Sequence, residues 1–127
     1  MPSIFSSLGL ETAHDSIGCG ATPSGRELLF LVDGLGADVL SNYADAIPTL
    51  STLINHGKVQ TSFPSTTATS LATLTTGQMP GAHGMLGYTV QVPRSGGRVL
   101  NTLKWDERVD PAIWQPLPTL FERAMAA

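Results

Sequence analysis

The most constraining feature of this sequence is a run of five apolar residues that ends abruptly in a carboxylate. The run is Leu28 to Val32, Asp33 follows it directly, and glycines stand at positions 34 and 36. An uninterrupted apolar run of this length is typical of a strand that is buried on both faces of a sheet. Glycine lets the backbone turn at once after such a strand. We therefore expect a strand over residues 27–32 that presents Asp33 at its carboxyl end, where open α/β sheets bind their ligands.

A second segment, Phe63-Pro64-Ser65-Thr66-Thr67, has the pattern of an entry into a helix. Thr67, Leu71 and Leu74 recur at i, i+4 and i+7, so we expect them to share the face that packs on the sheet. Gly77 is expected to end this helix. Hydroxyl groups at the helix start lie beside backbone N–H groups that have no partner within the helix. A carboxylate and a hydroxyl at neighbouring element ends can share a divalent metal, which makes the hydroxyl a nucleophile.

The remaining sequence alternates between helical and extended patterns. We expect short helices over 37–43 and from Pro48, the second with Leu50, Leu53 and Ile54 on one face and Gly57 as its stop, and a final helix from about Thr119. We expect strands over 58–62, 85–92 and 98–105, a turn at 80–84, a hairpin turn at 94–97, and irregular structure over 106–115.

This alternation predicts an α/β fold, in which a sheet is flanked by helices. Such a sheet needs several more strands than these residues supply before its faces are buried. We therefore expect residues 27–127 to form the N-terminal portion of a longer catalytic domain whose sheet is incomplete in this chain. Residues 1–26 are rich in Ser, Gly and Thr without periodicity, and are expected to be a loosely ordered lead-in.

Composition excludes several classes of protein. The net charge of −3 provides no footprint for nucleic acid. The run from Leu28 to Val32 is the longest apolar stretch and is far too short to span a membrane. Cys19 is alone, which excludes an internal disulfide. The N-terminus lacks a basic region, and Glu11, His14 and Asp15 interrupt any signal-like stretch, so we expect a cytoplasmic protein.

Both candidate functional residues have an ordinary structural alternative. Asp33 is either a metal ligand or a turn residue, because Asp-Gly pairs are common in turns. Thr67 is either a nucleophile or a helix cap, and a threonine hydroxyl needs a base or a metal to act as a nucleophile. His83 lies in a glycine-flanked turn and is expected to be structural or exposed. His14 and His56 are expected at the surface, and the sequence holds no paired-Cys, HxH or HExxH spacing.

Four segments together resemble the type I phosphodiesterase/nucleotide pyrophosphatase family, which belongs to the alkaline phosphatase superfamily. They occur in the family's order over about residues 27–91. They are Leu29-Phe30-Leu31-Val32-Asp33-Gly34-Leu35-Gly36, Pro48-Thr49-Leu50 with Gly57, Phe63-Pro64-Ser65-Thr66-Thr67, and Thr75-Thr76-Gly77-Gln78-Met79-Pro80-Gly81-Ala82-His83-Gly84.

The resemblance implies a role for three residues. Asp33 matches the family's metal-binding Asp, Thr67 matches its nucleophile, and Tyr88 aligns with its phosphate-binding Asn. Similar enzymes hold two divalent ions, usually zinc, through an Asp, His, Asp, His, His set. The further ligands lie downstream of the nucleophile and outside this chain. The histidine at position 83 is largely structural in the family.

The sequence also departs from the family. Eukaryotic members resemble Pro-Thr-Lys-Thr-Phe around the nucleophile, and here Ala68 replaces the aromatic residue that flanks a nucleobase or lipid. A Tyr at position 88 can still donate a hydrogen bond to a phosphoryl oxygen. The resemblance therefore does not assign a substrate.

From the residues and the resemblance together we expect a metal-dependent hydrolase of phosphate diesters or nucleotide pyrophosphate bonds. Its partners would be a small phosphoester substrate and the remainder of its own catalytic domain, and this chain alone is expected to be inactive. A phosphomonoesterase or phosphonate hydrolase of the same superfamily is the first alternative, and a non-catalytic binding module is the second. The enzyme reading requires the side-chain oxygens of Asp33 and Thr67 to lie within roughly 4–6 Å, close enough to share one ion.

Overall fold

The computed structural model describes residues 1–18, 25–53 and 57–127. These residues form seven short α-helices, a 3-10 turn and a two-stranded antiparallel sheet. The helices are α1 (Pro2–Ser7), α2 (Ala37–Asn42), α3 (Pro48–Ser51), α4 (Thr67–Thr76), α5 (Pro80–His83), α6 (Pro111–Trp114) and α7 (Leu120–Ala126). The strands are β1 (Thr89–Gln91) and β2 (Val99–Asn101), and the 3-10 turn is Ala44–Ala46. The predicted mixture of helices and strands is present, but both strands belong to the hairpin and neither lies in the segments 27–32 and 58–62.

The apolar run does not form the central strand that its sequence predicts. Residues 26–32 have no regular secondary structure, and neither do residues 57–62, where a second strand was expected. The side chains of the run are exposed, from 43% for Val32 to 91% for Leu28. A strand exists only when a neighbouring strand accepts its N–H groups and donates to its C=O groups, and among the described residues neither segment is paired in a sheet. Both strand predictions are therefore wrong for this structure.

Helix α4 follows its predicted bounds. It starts at Thr67 and ends at Gly77, which has a left-handed φ of 70°. A Cβ atom at Gly77 would lie 3.0 Å from Cγ of Pro2, so a glycine here also lets α1 approach closely. The predicted packing face is wrong, because the buried residues of α4 are Ala68, Thr69 and Thr76, while Leu71 is exposed. The sheet on which Leu71 was expected to pack is not formed.

The hairpin lies where the sequence predicts it, with shorter strands. β1 and β2 pair antiparallel, with Thr89 opposite Asn101, Val90 opposite Leu100 and Gln91 opposite Val99. Leu100, the middle residue of β2, is fully buried. β2 ends early because Oδ1 of Asn101 accepts the N–H groups of Leu103 and Lys104, at 3.0 and 3.1 Å. This local turn takes donors that a longer ladder would need.

The core joins the two ends of the chain. Phe5 and Leu10 pack with the fully buried Leu120 of α7, and the rings of Phe5 and Phe121 meet edge to face at 5.2 Å. Helix α7 begins with a capping box, in which Thr119 and Glu122 each accept the other's backbone N–H. We expected a loosely ordered segment over residues 1–26, yet residues 2–7 form α1, because Phe5 has an apolar partner in α7.

The other short elements agree in part with the expectations. α2 and α3 begin at Ala37 and Pro48 as predicted, whereas Ile54, His56 and Cys19 lie outside the described residues. Residues 80–83 form helix α5 instead of a simple turn, and the segment 106–115, expected to be irregular, contains α6. Helix α6 forms because the Asp110 carboxylate caps its first turn, accepting the Ala112 N–H at 2.9 Å. Among the helices of the described residues, none has the length and apolar character needed to cross a membrane.

Candidate active site

Asp33 occupies an exposed turn between the apolar run and α2. The turn is closed by the N–H of Leu35, which donates to the carbonyl oxygen of Val32 at 3.4 Å. Gly34 has a φ of 77°, a left-handed conformation that glycine adopts without strain. This turn directs the carboxylate toward the start of α4, because Asp33 Oδ2 accepts a hydrogen bond from the hydroxyl of Thr67.

Helix α4 starts without a side-chain cap. Its N-cap residue is Thr66, and the first backbone hydrogen bond of the helix runs from the Ser70 N–H to the Thr66 carbonyl at 2.9 Å. The Thr66 hydroxyl makes no capping bond and pairs with the hydroxyl of Thr69 at 2.9 Å. The helix start therefore carries N–H groups to which no side chain gives a capping acceptor, at the positive end of the helix dipole.

Thr67 is the first residue of α4, and its hydroxyl points away from the helix backbone. Thr67 Oγ1 donates a hydrogen bond to Asp33 Oδ2 at 3.0 Å, although 34 residues separate the two in the chain. The expected proximity of these side chains is confirmed. Of the two alternatives for Thr67, the capping one fails, because Thr66 holds the N-cap position and Thr67 accepts no backbone N–H there. Asp33 lies in a turn, as its structural alternative predicts, and its carboxylate also accepts a hydrogen bond from a hydroxyl of a distant segment.

An open cleft of about 580 Å³ surrounds this pair. Its walls come from three segments: the end of the apolar run with the Asp33 turn, the residues before Phe63, and one side of α4. The lining residues are Leu31, Val32, Asp33, Gly34, Leu35, Gly36, Val59, Gln60, Thr61, Ser62, Ser65, Thr66, Thr67, Ser70, Leu71, Thr73 and Leu74. Among the described residues of that lining, Asp33 is the only charged one, and the rest are aliphatic, glycine, hydroxyl or amide residues.

A cluster of hydroxyl groups ties the cleft walls together, and sequence reasoning missed it. Ser70 Oγ lies 3.0 Å from Thr61 Oγ1 and 3.3 Å from Ser62 Oγ. Ser70 follows Thr67 by three residues, so both side chains face the same side of the helix. That spacing was the available signal. It could not identify Thr61 and Ser62 as partners, because they belong to a segment with no regular structure.

The residues at the cleft fit part of a divalent metal site. A carboxylate oxygen and a hydroxyl oxygen are both suitable ligands for a hard cation. Two oxygen ligands with metal–oxygen bonds of about 2.0–2.2 Å lie roughly 3 Å apart when adjacent on one ion, and the two side chains are 3.0 Å apart. Among the described residues, no group of three or more His, Cys, Asp or Glu side chains could hold an ion. The side-chain oxygens of Asp33 and Thr67 thus have the spacing that two ligands of one ion would need.

Tyr88 does not join this cluster. It is half-exposed, directly precedes β1, and is not among the residues that line the cleft. Its carbonyl oxygen accepts the Thr102 N–H at 3.0 Å, which continues the hairpin pairing. Ala68, the residue after Thr67, is buried. Since the Ala68 side chain faces the protein interior, this position offers no surface on which a substrate ring could stack.

His83 is a buried structural residue, as expected, and His14 is exposed. His83 Nδ1 accepts the Met85 N–H at 3.1 Å, which leaves Nε2 to carry the proton and donate to Thr73 Oγ1 at 2.9 Å. Burial lowers the pKa of His83, so the neutral ring is favoured. The histidine therefore fixes α5 against α4, the helix that carries Thr67.

The comparisons with known proteins agree with the sequence motifs. The sequence profile of the family described as type I phosphodiesterase / nucleotide pyrophosphatase matches residues 28–127, which is most of the chain. No curated protein and no solved structure matches. The profile match starts at the apolar run and includes both Asp33 and Thr67.

Proposed function

Because this chain belongs to the type I phosphodiesterase/nucleotide pyrophosphatase family, we propose that it hydrolyses phosphate diester or nucleotide pyrophosphate bonds with Thr67 as the nucleophile. The observation that supports this most is the 3.0 Å hydrogen bond from Thr67 Oγ1 to Asp33 Oδ2. It joins the hydroxyl and the carboxylate that the proposed chemistry requires. It also frees the hydroxyl from the capping role that threonine commonly has at a helix start.

Asp33 and Thr67 would together hold one divalent ion, which we propose to be zinc. When bound, the ion supplies positive charge that makes the Thr67 hydroxyl easier to deprotonate. A second ion would need ligands that the described residues do not provide. Asp33 would also orient the hydroxyl, because its Oδ2 accepts the hydrogen bond of that hydroxyl and so fixes the direction of the oxygen lone pairs.

In the proposed reaction, Thr67 Oγ1 attacks phosphorus in line with the leaving oxygen. The new Oγ1–P bond forms as the bond from phosphorus to the leaving oxygen breaks. The Thr67 hydroxyl proton goes to Asp33 Oδ2, which accepts its hydrogen bond, and from there to the leaving oxygen. Water then attacks phosphorus, the Oγ1–P bond breaks, one water proton returns to Oγ1, and the hydrolysed phosphoryl product leaves. The uncapped start of α4 supports this step, since free N–H groups at a helix start are suited to phosphoryl oxygens.

The lining of the cleft favours diesters over monoesters. A monoester carries more negative charge and is usually bound by Arg or Lys at the phosphoryl group. No Arg or Lys belongs to the described lining, in which Asp33 alone is charged. A diester carries one negative charge, so it needs fewer positive side chains in the site. We retain Tyr88 as a proposed phosphoryl contact in the completed domain, although it stands apart from the cleft here.

The exposed apolar run supports the proposal that further parts of the same catalytic domain cover this chain. Five consecutive apolar side chains, 43–91% exposed, are unusual on the surface of a finished domain. The same further parts would supply the missing metal ligands. We also propose a cytoplasmic location.

The proposal is tested with the full-length protein and bis-p-nitrophenyl phosphate as the substrate. We expect turnover that depends on added Zn²⁺, and two bound ions per chain by elemental analysis. Asp33→Asn should lower both metal content and turnover, because a neutral amide is a weaker ligand for a divalent cation. Faster turnover of p-nitrophenyl phosphate than of the diester would favour the monoesterase alternative. Absence of bound metal together with absence of turnover would favour a non-catalytic module.

A further inference from the structure

The hydroxyl pair at the start of α4 departs from ordinary helix capping. A threonine at the N-cap usually accepts the backbone N–H of the second or third helical residue, here Ala68 or Thr69. Thr66 does not, although it is the N-cap residue. Its Oγ1 is 2.9 Å from Oγ1 of Thr69, whose side chain is completely buried. The side chain of Thr69 has therefore replaced the backbone as the partner of Thr66.

The burial of Thr69 makes this pairing persistent. A hydroxyl that is removed from water costs free energy when it has no hydrogen-bond partner. The pair with Thr66 is the hydrogen bond that the structure gives to the Thr69 hydroxyl. Thr66 is half-buried, and its side chain could otherwise rotate to cap the helix. Because the buried Thr69 hydroxyl needs a partner, the Thr66 hydroxyl is oriented toward Thr69.

We propose that Thr69 is a positioning residue, which draws the Thr66 hydroxyl aside and keeps the start of α4 open for a phosphoryl group. This inference rests on the proposed function, because the group to be admitted is the one that Thr67 attacks. If Thr66 capped the helix, its oxygen would occupy the N–H groups next to Thr67 and would place a lone pair where an anionic oxygen must approach. Thr69 does not touch the substrate, and it acts through Thr66.

Two substitutions separate this role from ordinary packing. Thr69→Val keeps the shape of the side chain and removes its hydroxyl, so Thr66 becomes free to cap the helix. Thr66→Ala/Thr69→Val removes both hydroxyls, so no side chain remains to cap it. In the full-length protein we expect Thr69→Val to lower kcat/KM for the diester about tenfold, a factor within the range of one capping bond. We expect the double variant to recover most of that loss, and Thr69→Ser to behave as the wild type.

A second measurement needs no turnover. In ¹⁵N NMR spectra of residues 1–127, the amide of residue 68 or 69 should move downfield and exchange more slowly in Thr69→Val, because it gains an acceptor. The double variant should show neither change.

The inference is overturned if the double variant is as impaired as Thr69→Val, or if the amide signals of Thr69→Val do not change. Either outcome would show that the Thr69 hydroxyl acts through packing alone. Failure of the proposed function has a different signature. In that case wild-type turnover is absent, or Thr67→Ala retains it, whatever the variants at positions 66 and 69 do.

Discussion

Two adjacent threonines, Thr66 and Thr67, have opposite surroundings at the start of α4. The hydroxyl of Thr67 faces the cleft and donates to Asp33, and the hydroxyl of Thr66 faces the buried Thr69. The sequence Thr-Thr does not distinguish them, because either could be the N-cap. The distinction comes from their positions, since the residue before the helix turns inward and the first helical residue turns toward the Asp33 loop. We therefore expect the Thr67 hydroxyl to be needed for turnover and the Thr66 hydroxyl to contribute to stability.

Thr67→Ala in the full-length protein should abolish turnover and lower the free energy of unfolding by no more than about 1.5 kcal/mol. The hydroxyl makes one exposed hydrogen bond, worth at most about 0.5–1.5 kcal/mol. Thr67→Ser should keep measurable activity, because it keeps the hydroxyl. Turnover of bis-p-nitrophenyl phosphate and a urea titration of each variant give the two quantities.

Thr66→Ala is the matched control for that substitution. It should keep turnover and lose about 1–3 kcal/mol, because it leaves the buried hydroxyl of Thr69 without a partner. An inactive Thr66→Ala variant beside an active Thr67→Ala variant would show that the nucleophile is assigned to the wrong threonine.

Local sequence signals predict single elements well when the signal and the element share the same few residues. Gly77 ends α4, and Thr119 with Glu122 starts α7, because capping involves only neighbouring groups. The expected strand over 27–32 fails for the opposite reason, since strand pairing requires a partner segment. The Asp33–Thr67 proximity could be anticipated through the family resemblance; the strand-end argument also predicted it, but the strand on which that argument rests is not formed. The hydroxyl pair of Thr66 and Thr69 could not be anticipated, because it depends on which hydroxyl is buried.

The packing of α5 on α4 should weaken in mild acid. His83 has a lowered pKa in the folded protein, whereas an unfolded histidine titrates near 6.5. As the pH falls below about 6.5, the unfolded chain takes up a proton that the folded chain resists. Stability is therefore fully present above that pH and is lost as the pH falls toward the folded pKa. Protonation would also place a second ring N–H against the Met85 N–H that now donates to Nδ1.

Urea midpoints of residues 1–127 between pH 7.5 and pH 5 measure this effect. His83→Gln should be less stable than the wild type at pH 7.5, and its midpoint should fall less on acidification. His14→Gln, at an exposed position, is the control and should follow the wild-type pH dependence. An unchanged pH dependence in His83→Gln would assign the titration to another group.

The capping box of α7 holds the helix that closes the core. Thr119 Oγ1 accepts the Glu122 N–H at 3.2 Å, and Glu122 Oε2 accepts the Thr119 N–H at 2.7 Å. The bond from the Thr119 N–H, and a second one that the Thr119 hydroxyl donates to Glu122 Oε2 at 2.9 Å, lower the pKa of Glu122. Thr119→Ala should destabilise residues 1–127 by about 0.5–2 kcal/mol, measured by urea titration at pH 7. Thr75→Ala is the comparison, because the Thr75 hydroxyl only bonds back to its own helix and its loss should cost less. Equal losses would show that the box adds nothing beyond ordinary helix contacts.

At the scale of the whole molecule, the described residues include a packed part and an open part, which we call the packed side and the open side. The packed side consists of the cluster of Phe5, Leu10 and Leu120, together with the buried Leu100 of β2. The open side carries the apolar run, the segment over 57–62 and the cleft with Asp33 and Thr67. Because the proposed site lies on the open side, the further segments that we propose for this catalytic domain would cover the apolar run and the site together. Residues 1–127 alone should accordingly show no phosphodiesterase activity, even with added metal.

A pair of matched substitutions tests whether the open side is covered in the complete protein. Phe30 and Ile113 are 80% and 79% exposed, and only Phe30 belongs to the apolar run. In residues 1–127 alone, Phe30→Ser and Ile113→Ser should both change the free energy of unfolding by less than about 0.5 kcal/mol, as exposed substitutions usually do. In the full-length protein, Phe30→Ser should cost about 3–5 kcal/mol, the range for deleting a buried Phe side chain. Ile113→Ser should change the free energy of unfolding about as little as it does in the isolated chain.

Segments that cover the apolar run would explain such a difference, because Phe30 would then be buried and the substitution would remove its contacts. Equal and small effects in both proteins would mean that the apolar run stays exposed, and that the sheet expected around Asp33 does not form.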